Sequence, residues 1–393
     1  MKQLPKTLSQ TYDLIKEQRL PYRRFKHQQV LYLIEQYRIH DMITIKEEGR
    51  SIEGRIIQSL TIGSGQKKII VWTQMHGNEP TATRAVFDFL SFIKSDYLTS
   101  EYQDLLNEVQ IKFVPVVNPD GLERYQRRNA LDIDPNRDAA KITTPEIQML
   151  FNLVEDFQPD WCFNMHDQRN LFNVGNTSEP ASLSFLSPST ADGVRGEVQR
   201  EGMMMIDKIH QCLSEFIPNK IGRFTHEFYP TASGDNFQTL GYRTILVESG
   251  GHRNDVEREI PRKMNFMLLW ETIRLVATDE WQKGTVLRYS EIPANDLKMF
   301  DLLIRNATLK LNGIKLQADL GIDRVEIAAT NDAGFVYKST IRDLGDLSYS
   351  YGYEELDASS FVVKGRIRLN QLAEFDLMNE EGEMIHIKNG FVV

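Results

Sequence analysis

His76 and Glu79 stand three residues apart in His76-Gly77-Asn78-Glu79, so a tight turn there can present one imidazole and one carboxylate to the same cation. His166 can add a second imidazole from the end of another apolar run. Two histidines and one carboxylate with an open fourth position describe a catalytic rather than a structural zinc ion, one per chain. Glu248 closes a further apolar run, Thr244-Ile245-Leu246-Val247, as an acid able to move a proton beside such a metal. The H-x-x-E spacing alone arises often by chance, and its weight comes from the company it keeps. The other six histidines, His27, His40, His210, His226, His252 and His386, lack a comparable setting and read as surface or supporting residues.

Four runs of strand length must position these groups. Residues 69–72 lead into His76, residues 111–117 into Asn118-Pro119-Asp120-Gly121, residues 161–163 into His166, and residues 244–247 into Glu248. In open α/β sheets the ligand crevice lies beyond the carboxyl ends of the strands, so one sheet can gather all four segments. Helical patterns fall between them at residues 81–93, just after Pro80, and at 144–157, 196–216 and 261–276. This alternation predicts an α/β fold, a mixed and mostly parallel sheet with helices on both faces.

The flanks read differently. Residues 9–37 suggest two amphipathic helices broken at Leu20-Pro21, and residues 43–62 an antiparallel edge. Beyond Trp281, Asn312-Gly313 between Thr308-Leu309-Lys310-Leu311 and Ile314-Lys315-Leu316 is a strong hairpin signal, and short runs at 324–328, 361–369 and 384–393 alternate or carry β-branched residues. The expected organisation is a catalytic domain over residues 1–283 with a helical N-terminal flank, followed by a small all-β domain over 284–393. A length of 393 residues, beyond the roughly 250–300 at which single cores stop growing, agrees with two domains.

Composition excludes some classes. A formal charge of -9 argues against general affinity for nucleic acid or anionic lipid, which draws on Lys and Arg. Only Cys162 and Cys212 occur, so no secreted-type disulfide framework is expected. Residues 1–6 lack the apolar stretch of a secretory signal, and no run reaches membrane-spanning length, so the reading is cytoplasmic with no membrane partner. Oligomeric state is not legible.

Taken together, the motifs resemble the zinc carboxypeptidases of the carboxypeptidase A type over roughly residues 48–278. The likeness rests on Gly49-Arg50-Ser51-Ile52-Glu53-Gly54-Arg55, on H-G-N-E at 76–79, on N-P-D-G at 118–121 and on D-P-N-R at 134–137. It implies that His76, Glu79 and His166 bind zinc, that Glu248 is the general base and acid, and that Asp134 orients a metal-bound histidine. Arg127, nine residues before Asn136, would be the oxyanion arginine, with Arg128 as its rival. Asn136 and Arg137 would clamp a free terminal carboxylate, and Tyr229 would cover it. The resemblance thus implies a metallocarboxypeptidase acting on a peptide or acyl-amino acid with a free carboxylate. Alternatives are a zinc amidohydrolase or deacylase of acyl-amino acids, γ-linked or cell-wall peptides, and a non-catalytic zinc-binding protein. Two departures, Asp167-Gln168 after His166 and Asn78 in place of an arginine of digestive members, are expected to alter the wall facing the substrate's side chains.

Overall fold

The computed structural model describes residues 4–190, 196–224, 228–330 and 334–393. They form two compact units, one running up to Gln168 and resuming over Ala181–Asn295, the other combining Arg169–Pro180 with Asp296–Val393. The junction that the sequence suggests after residue 283 thus falls after Asn295. The reason lies in residues 285–291: the Thr285 amide and the Arg288 guanidinium both bond the buried Asp207 carboxylate, at 2.7 and 2.8 Å, which ties this stretch to the first unit.

The first unit opens with α1 (Leu4–Ile15) and α2 (His27–Glu35), followed by β1 (Ile43–Arg50), β2 (Ile56–Ile62), β3 (Lys67–Trp72), α3 (Thr81–Ile93), α4 (Ser100–Glu108) and β4 (Val109–Val114). Next come α5 (Pro119–Arg124), α6 (Pro145–Phe157) and β5 (Trp161–Asp167); the two-residue strand β6 (Asn173–Val174) belongs to the other unit. The first unit resumes with β7 (Leu183–Leu186), α7 (Glu197–Leu213), β8 (Ile221–Arg223), α8 (Ser233–Thr239), β9 (Arg243–Ser249), α9 (Glu259–Ala277) and α10 (Val286–Glu291). The sheet order is β1-β2-β4-β3-β5-β9-β7-β8. Its middle, β4-β3-β5-β9, is parallel, while β1, β2 and the β7–β9 pairing are antiparallel.

Alternation along the central strands sends side chains to two cores, as the period of two demands. Ile69, Val71, Phe163, Met165, Ile245 and Val247 join the core built with α3, α7 and α9. Ile70, Trp72 and Cys162 join a second core with α6 and Phe237 of α8. Helices therefore cover both faces. Buried residues surround α9 on all sides, from Pro261 to Val276, as expected of a helix inside a core rather than on its surface.

The flanking helix α1 is stitched in by polar groups. Asp88 of α3 accepts both Arg262 Nη2 and Nε of α9, at 2.6 and 2.8 Å, together with the Tyr12 hydroxyl at 2.7 Å and the Glu17 amide at 2.8 Å. Arg84 donates to Leu20 O, Pro21 O and Glu257 O, and pairs with Glu259.

The second unit begins at β10 (Asn295–Asp296), whose first residue closes the first unit, and continues with β11 (Met299–Leu311), β12 (Ile314–Ala328), β13 (Phe335–Gly345), β14 (Tyr351–Asp357), β15 (Val362–Val363), β16 (Phe375–Met378), β17 (Met384–Lys388) and β18 (Phe391–Val392). Strands β11 and β12 form the expected hairpin, with Leu311 opposite Ile314 and positive φ at both Asn312 (51°) and Gly313 (82°), the type I′ signature. In the run at 361–369 the strand itself spans Val362–Val363, and the chain reaches positive φ (79°) at Gly365 just beyond it. The 169–180 segment is bound into this unit: Met299 N donates to Leu171 O at 3.0 Å, and the Tyr351 hydroxyl to Asn176 O at 3.2 Å. No helix among the described residues is long and apolar enough to cross a membrane.

Candidate active site

Each site residue sits where its strand ends. β3 stops at Trp72, and the turn that follows carries His76 and Glu79 into the start of α3. This turn is pressed against the Asn118–Gly121 turn beyond β4: a Cβ on Gly77 would lie 1.9 Å from the Gly121 carbonyl carbon, so only glycine permits the approach. Asn118 locks the two together. Its Oδ1 caps α5 by accepting the Gly121 amide at 2.8 Å, and its Nδ2 donates to Met75 O at 3.3 Å and Arg127 O at 3.4 Å. His166 and Glu248 are paired in register on the parallel neighbours β5 and β9, so their side chains leave the same face of the sheet side by side.

His76, Glu79 and His166 are all buried, and one ligand atom of each lies within 4.8 Å of the others. Both imidazoles turn Nδ1 towards Glu79, His76 at 2.8 Å from Oε1 and His166 at 2.7 Å from Oε2. The two Nδ1 atoms are 3.2 Å apart, so all three donors converge on one point that a single cation would share. On the far side of His76, Nε2 meets Asp134 Oδ1 at 3.0 Å, which fixes the ring and leaves Nδ1 to face inward. Donor types and spacing therefore fit one Zn2+ ion per chain.

The two site glutamates are pushed in opposite directions. Burial works against the Glu79 carboxylate, but the His76 and His166 imidazoles outweigh it and hold its pKa well below the ordinary value. Glu248 is raised well above the ordinary value by burial first, then by Glu79 and Asp167. Its Oε2 is buried and meets no donor among the described residues. A carboxyl poised to hold a proton thus stands beside a carboxylate kept ionised, the arrangement that separates acid–base from ligand roles.

Arg127, rather than Arg128, reaches this centre. Its Nε donates to Asp134 Oδ2 at 2.9 Å, and its Nη1 lies 3.1 Å from His76 Nδ1 and 3.3 Å from Glu79 Oε1; Arg128 instead donates to Asp132 O at 2.7 Å. The Arg127 side chain is 41 % exposed while its carboxylate partners are buried, so it spans from solvent to the centre. Asp134 also caps the short turn Pro135–Arg137 by accepting Asn136 N at 2.9 Å. Asn136 Oδ1 accepts the Ser233 amide and hydroxyl at 3.0 and 2.7 Å, and the Arg137 guanidinium stacks 4.0 Å from the Tyr229 ring centre. Asp235 accepts the Tyr229 amide at 2.9 Å, and burial lifts its carboxyl to about 6. Of the remaining histidines, His252 bonds Ser182 and His386 bonds Asp376, whereas His226 lies outside the described residues.

Residues 32–222 match the model of the zinc carboxypeptidase family. Over those residues, just under half of the chain, the sequence is similar to that family. It is 29 % identical over 146 residues to a probable carboxypeptidase 2 of Trichophyton verrucosum, covering 36 % of this chain and 27 % of the relative. It is 22 % identical over 260 residues to human carboxypeptidase D, covering 58 % of this chain and 18 % of that protein. The chain thus spans about a quarter or less of the length of these relatives. Among solved structures it is similar to a metallo-carboxypeptidase from Burkholderia cenocepacia, with a TM-score of 0.53 at 15 % identity over 65 % of this chain and 70 % of the other. A metallo-carboxypeptidase from Pseudomonas aeruginosa gives 0.52 at 17 % identity, over 66 % and 70 %.

The site also departs from the sequence reading. Asp167 does not line a substrate wall: its Oδ2 accepts Thr81 Oγ1 at 2.6 Å and Thr81 N at 3.3 Å, beneath the metal centre. Gln168 likewise turns to Ala181 O and Ser184. Asn118 and Asp120 were legible only as parts of a motif, yet they hold the site: Asp120 accepts Ser51 Oγ, Glu53 N and Arg55 Nη1 at 2.7, 3.1 and 2.6 Å, anchoring the 49–55 segment. An Asn-Pro pair at the end of a strand is an N-cap signal that could have revealed the first of these roles.

Proposed function

We propose that the chain is a zinc metallocarboxypeptidase that removes a carboxy-terminal residue from a peptide with a free terminal carboxylate. The observation that carries this reading is the buried, unpartnered Glu248 Oε2 in register with His166 of the His76–Glu79–His166 cluster. Bound there, zinc supplies a Lewis acid that acidifies water and polarises a carbonyl. Glu248, ionised, takes a proton from the attacking water and delivers it to the departing nitrogen, a relay for which its place in register with His166 suits it. Arg127 offers its guanidinium to the oxygen on which negative charge develops. Ser233 occupies the Asn136 oxygen, which leaves Nδ2 as the donor beside Arg137 for the terminal carboxylate, and the planar guanidinium suits bidentate capture. Tyr229, stacked on Arg137, covers that end.

Glu248→Gln is expected to slow peptide cleavage by about 10²–10⁴ while zinc analysis still finds the ion bound. A peptide with an amidated terminus is expected to resist cleavage. Equal cleavage of free and amidated peptides would remove the carboxylate clamp from the reading, and full activity of Glu248→Gln would remove its proton shuttle.

A further inference from the structure

We propose that Arg258 is a positioning residue that sets the separation between the metal ligands and Glu248; the inference rests on the functional reading above. Arg258 is buried immediately before α9, in the left-handed region at φ 54°, a conformation that costs a non-glycine residue about 1–2 kcal/mol and persists only where its surroundings fix it. From there the guanidinium runs back under the ends of β5 and β9. Nη1 donates to Ser249 O at 2.8 Å, and Nη2 donates to Gln168 O at 3.0 Å. Ser249 follows Glu248, and Gln168 lies two residues beyond His166. The backbone ladder between the two strands ends with Gln168 N donating to that same Ser249 O at 2.9 Å. Arg258 therefore extends the ladder past its last rung and ties the tip that carries the metal-site histidine to the tip that carries the proton shuttle.

Asp167 completes the junction. Its carboxylate lies 3.4 Å from Arg258 Nη1 and accepts from Thr81 at the start of α3, while its amide donates to Glu79 Oε2 at 3.2 Å. Three chain segments that share no local sequence, bearing Glu79, His166 and Glu248, are thus joined by one planar group and its counter-ion. A lysine cannot reproduce this, because a single ammonium on a flexible stem does not span two carbonyls in a fixed plane.

The test uses the full chain with Arg258→Met and Arg258→Lys, and three readouts: zinc affinity by competition with a chelator, the visible absorption of the cobalt(II)-substituted protein, and kcat and KM on a free-carboxylate peptide. Arg258→Met is expected to lose about 10–100-fold in zinc affinity or kcat, with KM within about twofold and a shifted cobalt spectrum; Arg258→Lys should fall between. Wild-type zinc affinity, cobalt spectrum and kcat in a folded Arg258→Met protein would overturn the proposal. If that variant does not fold, a folded Arg258→Lys with all three readouts unchanged would overturn it equally. Should the wild-type chain cleave no peptide, the functional reading fails, while zinc affinity and the cobalt spectrum still decide the role of Arg258.

Discussion

Glu79 and Glu248 share a side chain and differ only in company. Two imidazoles face the first, while burial, and after it the carboxylates of Glu79 and Asp167, raises the proton affinity of the second. Asp134 is the residue whose removal separates geometry from charge. Asp134→Ala leaves His76 Nε2 and Arg127 Nε without their acceptor, and zinc affinity measured against a chelator should fall about 10–100-fold. The metal ligands were legible because H-x-x-E is a local spacing and His166 closes a strand. The choice between Arg127 and Arg128 was not, since adjacent residues in a loop differ only in the direction their side chains take. Arg258 was illegible for a related reason: it reaches two backbone carbonyls, which carry no sequence signature, and the Asp167 carboxylate ninety-one residues away.

Turns decide how the elements meet. Gly77→Ala would drive a Cβ into the Gly121 backbone, so the His76 turn must lift off α5; a stability loss of at least about 1–3 kcal/mol by urea unfolding is expected, together with weaker zinc binding. At the start of α8, Asp235 binds the Tyr229 amide, and its carboxyl is raised to about 6, above the roughly 3.9 of an unfolded chain. The native state therefore holds the proton longer than the unfolded state, and this group's contribution to stability declines as pH rises from about 4 to about 6. Asp235→Asn, which keeps the acceptor, should remove that decline. Comparing urea midpoints of the two proteins at pH 4 and pH 7 checks it: the variant should gain on wild type only at the higher pH. The long helices α3, α6 and α9 matched their sequence patterns closely because at 13, 13 and 19 residues each repeats its apolar face over several turns. The short α5, α8 and α10 were not read, since six or seven residues give too little periodicity to separate a helix from a turn.

At the scale of the molecule, the N-terminal flank belongs to the first unit through the Asp88 cluster. Asp88→Ala leaves the buried Arg262 guanidinium without its bidentate partner, and a loss of about 3–5 kcal/mol in unfolding free energy is expected. The two-domain organisation was visible as a change in character near residue 281, but the insertion of 169–180 into the β unit was not, because twelve residues without regular pattern carry no mark of their distant partners. That insertion has a consequence for synthesis. Leu171 leaves the ribosome well over a hundred residues before Met299, the partner of its carbonyl, so the strand that bears His166 is followed at once by a stretch with nothing yet to bind. A protein ended after Asn295 would leave that stretch permanently unmatched. Loss of the carboxy-terminal module in a descendant gene would therefore demand a second, simultaneous deletion close to the zinc ligand, which ties the inheritance of the two units together.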